Sequence, residues 1–338
     1  DGLRLQDDSS GTVIGGAENL GNTISGNAGH GVNVEGADDT TIIGNRIGTG
    51  EDGLSAIANG GHGILVQDDA ERTRIGSNTL AERNLIAGNG DTGITVTGAD
   101  VLDTVIQGNV VGTDATGEAK LGNAGSGVRL EIGAGNNLIG GLRAAGNVIS
   151  GNDEHGIEFH QAGTGNGVGG NIVGLDKNGA DIVSNQLNGI DYWQTPQMLI
   201  GSNGTTRDGN VISGNGREGI YADAGLVAMS GNVVSGNLVG VGIDEKLARG
   251  NGQSGNFFSF FGAGIYTLGV DDLTVGGAEL RIGAIGVSLA PLGRVDLEGG
   301  RWRRRIAAPP DRRSPRHSSR RADAVLPPAR SSGRTPRR

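Results

Sequence analysis

The chain has 338 residues, a formal net charge of −9, no cysteine and 67 glycines. Average proteins contain roughly 7% glycine, whereas aromatic residues supply only 3% of this chain. The lack of cysteine excludes disulfides and thiolate metal sites, and no run reaches the ~18 apolar residues that a membrane span needs. A core must therefore be assembled from many small and aliphatic side chains in a regular lattice.

A short element, glycine followed by an aliphatic residue and an alternating run, recurs along the chain. Successive elements are 29 to 34 residues apart, and shorter and longer units alternate. The glycines are Gly2, Gly31, Gly63, Gly93, Gly127, Gly156, Gly189 and Gly219. Two further aliphatic runs follow in most units, and the second of them opens on asparagine, as in "NVISGN" at 147–152. None of these runs has a helical period, so each unit is predicted to form three short strands.

Asparagine marks the end of each unit through the spacing Asn-x-x-x-Gly. The longer units also share an insert, with 14 residues from one flanking asparagine to the other, at 45–59, 109–123, 171–185 and 237–251. Equal lengths predict four equivalent positions in the fold. Asparagines repeated in such turns are predicted to stack and to form hydrogen-bonded ladders between neighbouring units.

Three short strands per unit, repeated along the chain, predict an all-β solenoid: a right-handed parallel β-helix of about nine coils, in which coils of 29–30 and 32–36 residues alternate. The pattern N-x-I-x-G-N-x-x-x-G-I-x-V resembles the right-handed parallel β-helix repeat family of the pectate-lyase-like superfamily, across residues 1–277. The resemblance implies polysaccharide lyases, epimerases, glycosidases and non-enzymatic surface proteins as neighbours. It does not choose among these activities.

Composition divides the chain into three parts. The β-helix is expected at 1–277, a degenerate coil or transition at 278–300, and a disordered Arg/Pro-rich tail at 301–338, where 13 arginines face two aspartates. A frame-shifted reading of the gene, or a tail that binds phosphate or a surface, would give the same composition. The first 16 residues match 62–77 and so lie inside a coil. We therefore expect a missing N-terminal cap and a longer parent chain.

The charge distribution of the chain narrows the class of molecules expected to bind it. Residues 1–300 contain 15 Lys/Arg and 35 Asp/Glu, a net charge of −20. Such an acidic body repels phosphate backbones, so nucleic acid is not expected as its partner. Acidic, glycine-rich loops such as "GTDATG" at 112–117 raise the alternative of a calcium site. The preferred interpretation is a set of turns in which Asp bonds its own backbone, with no cofactor.

"GHG" at 29–31 and 61–63 raises the question of hydrolase catalysis. The resemblance implies a catalytic Gly-His-Gly in polygalacturonase-like β-helix enzymes, but their partner motifs Asn-x-Asp and Arg-x-Lys are missing here. The same position also holds Thr92, Ser126, Asn188 and Glu218. It is therefore interpreted as a turn position that accepts polar residues.

The first strand of each coil carries the strongest functional signal. Side chains alternate along a strand, so the second and fourth residues after each glycine are predicted to point outward. Four consecutive coils place carboxylates and aromatic rings there: Arg129, Glu131, Glu158, His160, Asp191, Trp193, Tyr221 and Asp223. Adjacent coils lie roughly 4.8 Å apart, so Glu158 and Asp191 are predicted neighbours, and repulsion should raise the pKa of one of them.

Three functions are compatible with this surface. The leading hypothesis is an extracellular or cell-surface protein that binds polysaccharide along the first sheet, through Arg129, Glu131, Trp193, Tyr221 and Asp223. The second is a carbohydrate-active enzyme, a glycosidase or a uronate lyase or epimerase, with Glu158, His160 and Asp191 as catalytic residues. The third is a purely structural segment of a larger surface protein.

Overall fold

The computed structural model of the chain describes residues 1–252 apart from 8, 18–19, 207, 226–228 and 246–247. Beyond residue 252 it describes 264–268, 270, 273–276, 281–282, 287–289 and 295–298. The described residues form short strands joined by turns, with two 3-10 helical turns at Leu80–Glu82 and Arg143–Ala145. The tail predicted at 301–338 lies outside the described residues.

The strands form three parallel sheets, and the chain visits each sheet once per coil. Sheet 1 contains β1 Leu3–Gln6, β4 Val32–Glu35, β7 Ile64–Gln67, β10 Ile94–Thr97, β13 Val128–Glu131, β16 Ile157–His160, β19 Ile190–Trp193, β22 Ile220–Asp223, β25 Ile265–Leu268 and β28 Val287–Leu289. Sheet 2 contains β2 Val13–Gly15, β5 Thr41–Ile43, β8 Arg74–Ile75, β11 Val105–Ile106, β14 Leu138–Gly140, β17 Gly167–Gly169, β20 Leu199–Gly201, β23 Val233–Ser235, β26 Leu273–Gly276 and β29 Val295–Glu298. Sheet 3 contains β3 Thr23–Ile24, β6 Arg46–Ile47, β9 Leu85–Ile86, β12 Val110–Val111, β15 Val148–Ile149, β18 Ile172–Val173, β21 Val211–Ile212, β24 Leu238–Val239 and β27 Arg281–Ile282.

This topology confirms the predicted right-handed parallel β-helix. Each strand of sheet 1 pairs in register with the equivalent strand of the next coil, as Ile157 pairs with Val128 on one side and Ile190 on the other. The inward residues are mostly aliphatic, and Ile157 and Phe159 are fully buried. Aliphatic side chains of equal position therefore stack along the core, which removes apolar surface from water without requiring large aromatic residues.

Two asparagine ladders, buried except at their first members Asn22 and Asn27, bind the coils together, as predicted. One runs through Asn22, Asn45, Asn84, Asn109, Asn147, Asn171, Asn210 and Asn237. The other runs through Asn27, Asn59, Asn89, Asn123, Asn152, Asn185, Asn215 and Asn251. Each interior carboxamide accepts hydrogen bonds from one neighbouring coil and donates to the next, so these buried polar groups are satisfied.

The four inserts occupy equivalent places beside sheet 3. Each closes with an antiparallel bridge: Thr49 with Ala56, Thr113 with Lys120, Leu175 with Ile182, and Val241 with Ala248. Inserts two coils apart are joined by backbone hydrogen bonds from Ala115 to Gly53 (3.0 Å), Lys177 to Gly117 (2.9 Å) and Ile243 to Gly179 (3.0 Å). The alternation of short and long coils therefore builds a side column that links every second coil.

The last coils depart from the spacing expected from the sequence. The chain re-enters sheet 1 at Ile265, which pairs with Ile220, and Gly264 follows Gly219 by 45 residues instead of 29 to 34. After residue 277, β28 and β29 pair with β25 and β26, and the domain boundaries predicted at 277 and 300 stay predictions.

In the described part of the chain, no helix has the length and apolar character required to cross a bilayer.

Candidate functional site

The outer face of sheet 1 carries two parallel columns of side chains, here called the sheet 1 strip. In one column Arg129, Glu158, Asp191, Tyr221 and Tyr266 follow one another in register, and in the other Glu131, His160, Trp193 and Asp223 do so. Their inward neighbours Leu130, Phe159, Tyr192 and Ala222 are fully buried. The structure thus brings all eight sequence-predicted site residues onto one face.

Glu158 is held by donors from the preceding coil. Its Oε2 accepts hydrogen bonds from Ser126 Oγ (2.6 Å) and Arg129 Nε (2.8 Å). The same guanidinium also donates from its NH2 group to Glu154 Oε2, at 3.0 Å. Burial by itself raises the pKa of Glu158, but these partners outweigh it and hold the pKa below its usual value. Glu158 is therefore a carboxylate at neutral pH.

Asp191, on the next strand, has a different environment. Its Oδ2 accepts a hydrogen bond from Asn188 Nδ2 at 2.7 Å, and His155 Nδ1 lies 3.7 Å from the same oxygen. Burial raises the pKa of Asp191 to about 7, the Asn188 bond opposes the rise, and the charges of Glu158 and Asp223 add to it. Asp191 is therefore poised to gain or lose a proton near neutral pH.

His155 stays uncharged next to this carboxyl. Burial lowers the pKa of His155 to about 4, although the charge of Glu158 acts in the opposite direction. Its Nδ1 accepts a hydrogen bond from the backbone N–H of Asn188, at 3.3 Å. In the neutral ring the proton consequently lies on Nε2. His160, the histidine predicted as catalytic, lies in the other column, in register with Glu131 and Trp193.

Aromatic rings form the remainder of the sheet 1 strip. The His160 and Trp193 rings are 4.4 Å apart between centroids and tilted by 38°. The Tyr221 and Tyr266 rings are 5.5 Å apart and nearly parallel. Tyr221 also donates its hydroxyl hydrogen to Asp223 Oδ2, at 3.2 Å. Stacked or tilted rings on a half-exposed face can contact the apolar faces of a sugar, while the neighbouring carboxylates can accept its hydroxyl hydrogens.

Several contributors to the site were missed from sequence. Ser126, His155 and Asn188 belong to the position just before the coil glycine, which was interpreted only as a turn. That position lies beside the first column: Ser126 reaches Glu158 and His155 approaches Asp191, each on the following coil. Tyr266 was missed because the unmatched stretch before it interrupts the repeat, although "GIYTL" at 264–268 has the expected pattern.

The Gly-His-Gly histidines make contacts consistent with the turn interpretation. The His30 and His62 rings stack with centroids 5.0 Å apart. His30 Nδ1 accepts the backbone N–H of His62 at 3.0 Å, and this is the bond that His155 makes to Asn188. The position is thus a ladder in which a side-chain acceptor satisfies the backbone of the following coil.

The acidic loops bond their own backbones, as the turn interpretation predicts. Asp114 Oδ1 accepts the Thr116 hydroxyl and backbone N–H (2.6 and 3.1 Å), and Asp176 Oδ1 accepts the N–H groups of Ala180 (2.7 Å) and Asp181 (2.9 Å). Within the described residues no group of three His, Asp or Glu side chains is arranged to hold a metal ion. The calcium alternative stays a prediction that only a binding measurement would test.

Solved structures of alginate epimerases and an alginate lyase are similar to this chain. A mutant of the periplasmic alginate epimerase AlgG is 17% identical, with a TM-score of 0.42, over 80% of this chain and 48% of that one. The Azotobacter vinelandii mannuronan C-5 epimerase AlgE4 A-module is 14% identical (TM-score 0.38), over 88% of this chain and 84% of that one. An alginate lyase from Paenibacillus sp. str. FPU-7 is also 14% identical (TM-score 0.37), over 88% of both chains.

These similarities have TM-scores below 0.5 and carry no argument about function. The chain spans about half the length of the AlgG structures that it matches. No protein-family model and no curated protein matches the sequence. The features of the chain that bear on function are therefore the side chains of the sheet 1 strip.

Proposed function

We propose that this protein binds polysaccharide along the sheet 1 strip and works outside the cell or at its surface. The observation that carries the proposal is the in-register continuity of the strip: Arg129, Glu158, Asp191, Tyr221 and Tyr266 follow one another on successive coils, next to a column that contains Trp193. Successive rungs lie roughly 4.8 Å apart. A linear polymer laid across them would meet a repeating set of rings and hydrogen-bond acceptors.

The surrounding strands support the same proposal. On the earlier coils of sheet 1 the equivalent positions hold Leu65 and Thr95, which are buried, and no aromatic residue. Trp193 is the only tryptophan outside the 301–338 tail, and it is half-buried on this face. An aromatic ring left partly exposed in a chain with so few of them is typical of a contact surface.

The test is binding on a glycan array, followed by affinity measurement on any hit. We expect Trp193→Ala to reduce affinity at least tenfold, because the ring would supply the main apolar contact. Thr97→Ala is the matched control, since Thr97 has the same position on an earlier coil without aromatic neighbours. Absence of any glycan bound by the wild type, or equal losses in both variants, would overturn the proposal.

A specific observation also favours an enzyme. Adjacent coils hold one carboxyl with a lowered pKa, Glu158, and one whose pKa is raised to about 7, Asp191. Carboxyls driven apart in this way are the usual arrangement of a nucleophile or base with a general acid. Incubation with neutral and acidic polysaccharides, followed by product analysis, tests this alternative. Product released by the wild type and lost in Asp191→Asn would establish it; binding without product would leave the binding function alone.

A further inference from the structure

We infer that the sheet 1 strip selects glycans without carboxylate groups and rejects polyuronates. This inference rests on the proposed polysaccharide binding and concerns the chemistry of the ligand. Its basis is the balance of charge around the strip. The charged groups on or beside it in the described part of the chain are Glu131, Glu154, Glu158, Asp191, Glu218 and Asp223 on the acidic side and Arg129 and Arg217 on the basic side.

The guanidinium on the first rung of the strip is already engaged. Arg129 donates to Glu158 at 2.8 Å and to Glu154 at 3.0 Å, and only 22% of its side chain is exposed. A uronate carboxylate that approached this cation would meet the charges of Glu158 and Glu154, and displacing either acid would leave it half-buried and unpaired. Arg129 therefore neutralises the protein's own acids instead of presenting a site for an anionic sugar.

The acceptors on the strip suit hydroxyl groups. Within the described residues the Glu131 carboxylate makes no hydrogen bond or ion pair, although its charge acts on Arg129, so its oxygens are open to a ligand. Asp223 accepts hydrogen bonds from Tyr221 and from the backbone of Gly225, and it retains acceptor capacity. These two carboxylates lie on either side of His160 and Trp193 along one column. A sugar stacked on the Trp193 ring would place hydroxyls near carboxylates, whereas a uronate would place like charges together.

The surroundings of Trp193 also suit an uncharged ligand. A Cβ atom added at Gly225 would lie 3.1 Å from the indole Nε1 of Trp193 and 2.5 Å from the amide nitrogen of Gln194. The indole nitrogen thus lies next to the turn after Asp223, and the ring contacts His160 on the neighbouring rung of the column. Both neighbouring donors, Trp193 and Gln194, are uncharged and suit a neutral ligand.

The inference is tested by affinity gel electrophoresis with two polymers, neutral hydroxyethylcellulose and anionic sodium alginate, at low and high salt. We expect the wild type to be retarded by the neutral polymer equally at both salt concentrations, because no charge is paired on binding. Retardation by alginate should be at least tenfold weaker at low salt. The double variant Glu131→Gln, Asp223→Asn should bind alginate more strongly than the wild type does. Glu118→Gln, on an insert away from the strip, is the matched control.

The outcomes separate the two proposals. Alginate binding by the wild type that equals or exceeds binding of the neutral polymer, and that is lost in Trp193→Ala, would overturn the selectivity while leaving polysaccharide binding intact. Failure of the wild type to bind either polymer, or any glycan on the array, would overturn polysaccharide binding itself. If the double variant does not fold, the salt dependence of the wild type gives the answer, since alginate held by ion pairs would be released at high salt.

Discussion

Glu158 and Asp191 face each other in register on adjacent strands of sheet 1, yet their pKa values move in opposite directions. Glu158 receives a hydroxyl and a guanidinium donor from the preceding coil. Asp191 receives one neutral amide donor and lies beside an uncharged histidine. Two carboxyls on equivalent positions of one repeat thus acquire different protonation states from their burial and their hydrogen-bond donors.

Asp191 should make the stability of the protein depend on pH. Since its folded pKa is raised to about 7, the contribution of the protonated form is complete below the unfolded pKa of roughly 3.9. That contribution is lost as the pH rises through 7. Asp191→Asn should therefore unfold like the wild type at pH ~4 and be more stable at pH ~8, by up to about 4 kcal/mol at 1.36 kcal/mol per pKa unit. Urea unfolding at both pH values is the measurement.

The control for this variant is Asp181→Asn, whose side chain is 86% exposed. It should leave the pH dependence unchanged. If Asp191→Asn and the wild type lose stability in parallel as the pH rises, the raised pKa of Asp191 is wrong.

Removal of Arg129 should lower the free energy of unfolding most at pH values at which its carboxylate partners are charged. Arg129→Gln leaves Glu158 and Glu154 half-buried without a cation, and breaking such a pair costs on the order of 3 kcal/mol. The lowered pKa of Glu158 contributes stability above its unfolded pKa of roughly 4.3, and that stability falls away as the acid is protonated. The loss should therefore be large at pH ~8 and small at pH ~4 in thermal unfolding.

Arg4→Gln is a matched comparison, because Arg4 has the same strand position and donates from Nε to Glu35 at 2.6 Å. Its side chain is 50% exposed, so the expected loss is less than about 1 kcal/mol. Equal losses for Arg4 and Arg129 would show that burial of the Arg129 pair does not matter.

The asparagine ladder should be sensitive to a single truncation. Asn147 accepts the N–H and side-chain N–H of Asn109 at 2.9 and 3.0 Å, and donates to Ile106 O and Asn171 Oδ1, both at 2.9 Å. Asn147→Ala leaves these buried groups without partners, at a cost of about 3 kcal/mol. Asn178→Ala, on an exposed insert, should cost less than ~0.5 kcal/mol. Comparable melting temperatures for the two variants would contradict a stabilising ladder.

A pair of glycine-to-alanine variants tests how closely neighbouring coils are stacked. Gly76 and Gly204 have nearly equal positive φ angles, 77° and 78°, but a Cβ at Gly76 would lie 2.1 Å from Gln107 O and one at Gly204 would contact nothing within 4 Å. Gly204→Ala should cost only backbone strain, roughly 1–2 kcal/mol. Gly76→Ala should cost at least about 3 kcal/mol, since the clash is with backbone. Equal losses of unfolding free energy in chemical denaturation would mean that neighbouring coils move apart easily to accommodate a Cβ atom.

The sequence predicted the lattice well because the lattice is periodic. Alternation in the four residues after each coil glycine sets which side chains point inward, so the burial of Phe159 and the outward placement of Glu158 could both be foreseen. The ladder through Asn147 was foreseen for the same reason. Where the period broke, before Ile265, the prediction failed and Tyr266 was missed.

What the sequence determined by itself is the fold, the face on which Arg129 to Asp223 gather and the neighbour relation of Glu158 and Asp191. Only the tertiary structure decided which of these two acids keeps its proton. That depends on Arg129 and the turn residue Ser126, which donate to Glu158 from the preceding coil, and on the burial of Asp191. Repetition fixes positions along the strands, whereas charge depends on burial and on donors that differ from one coil to the next.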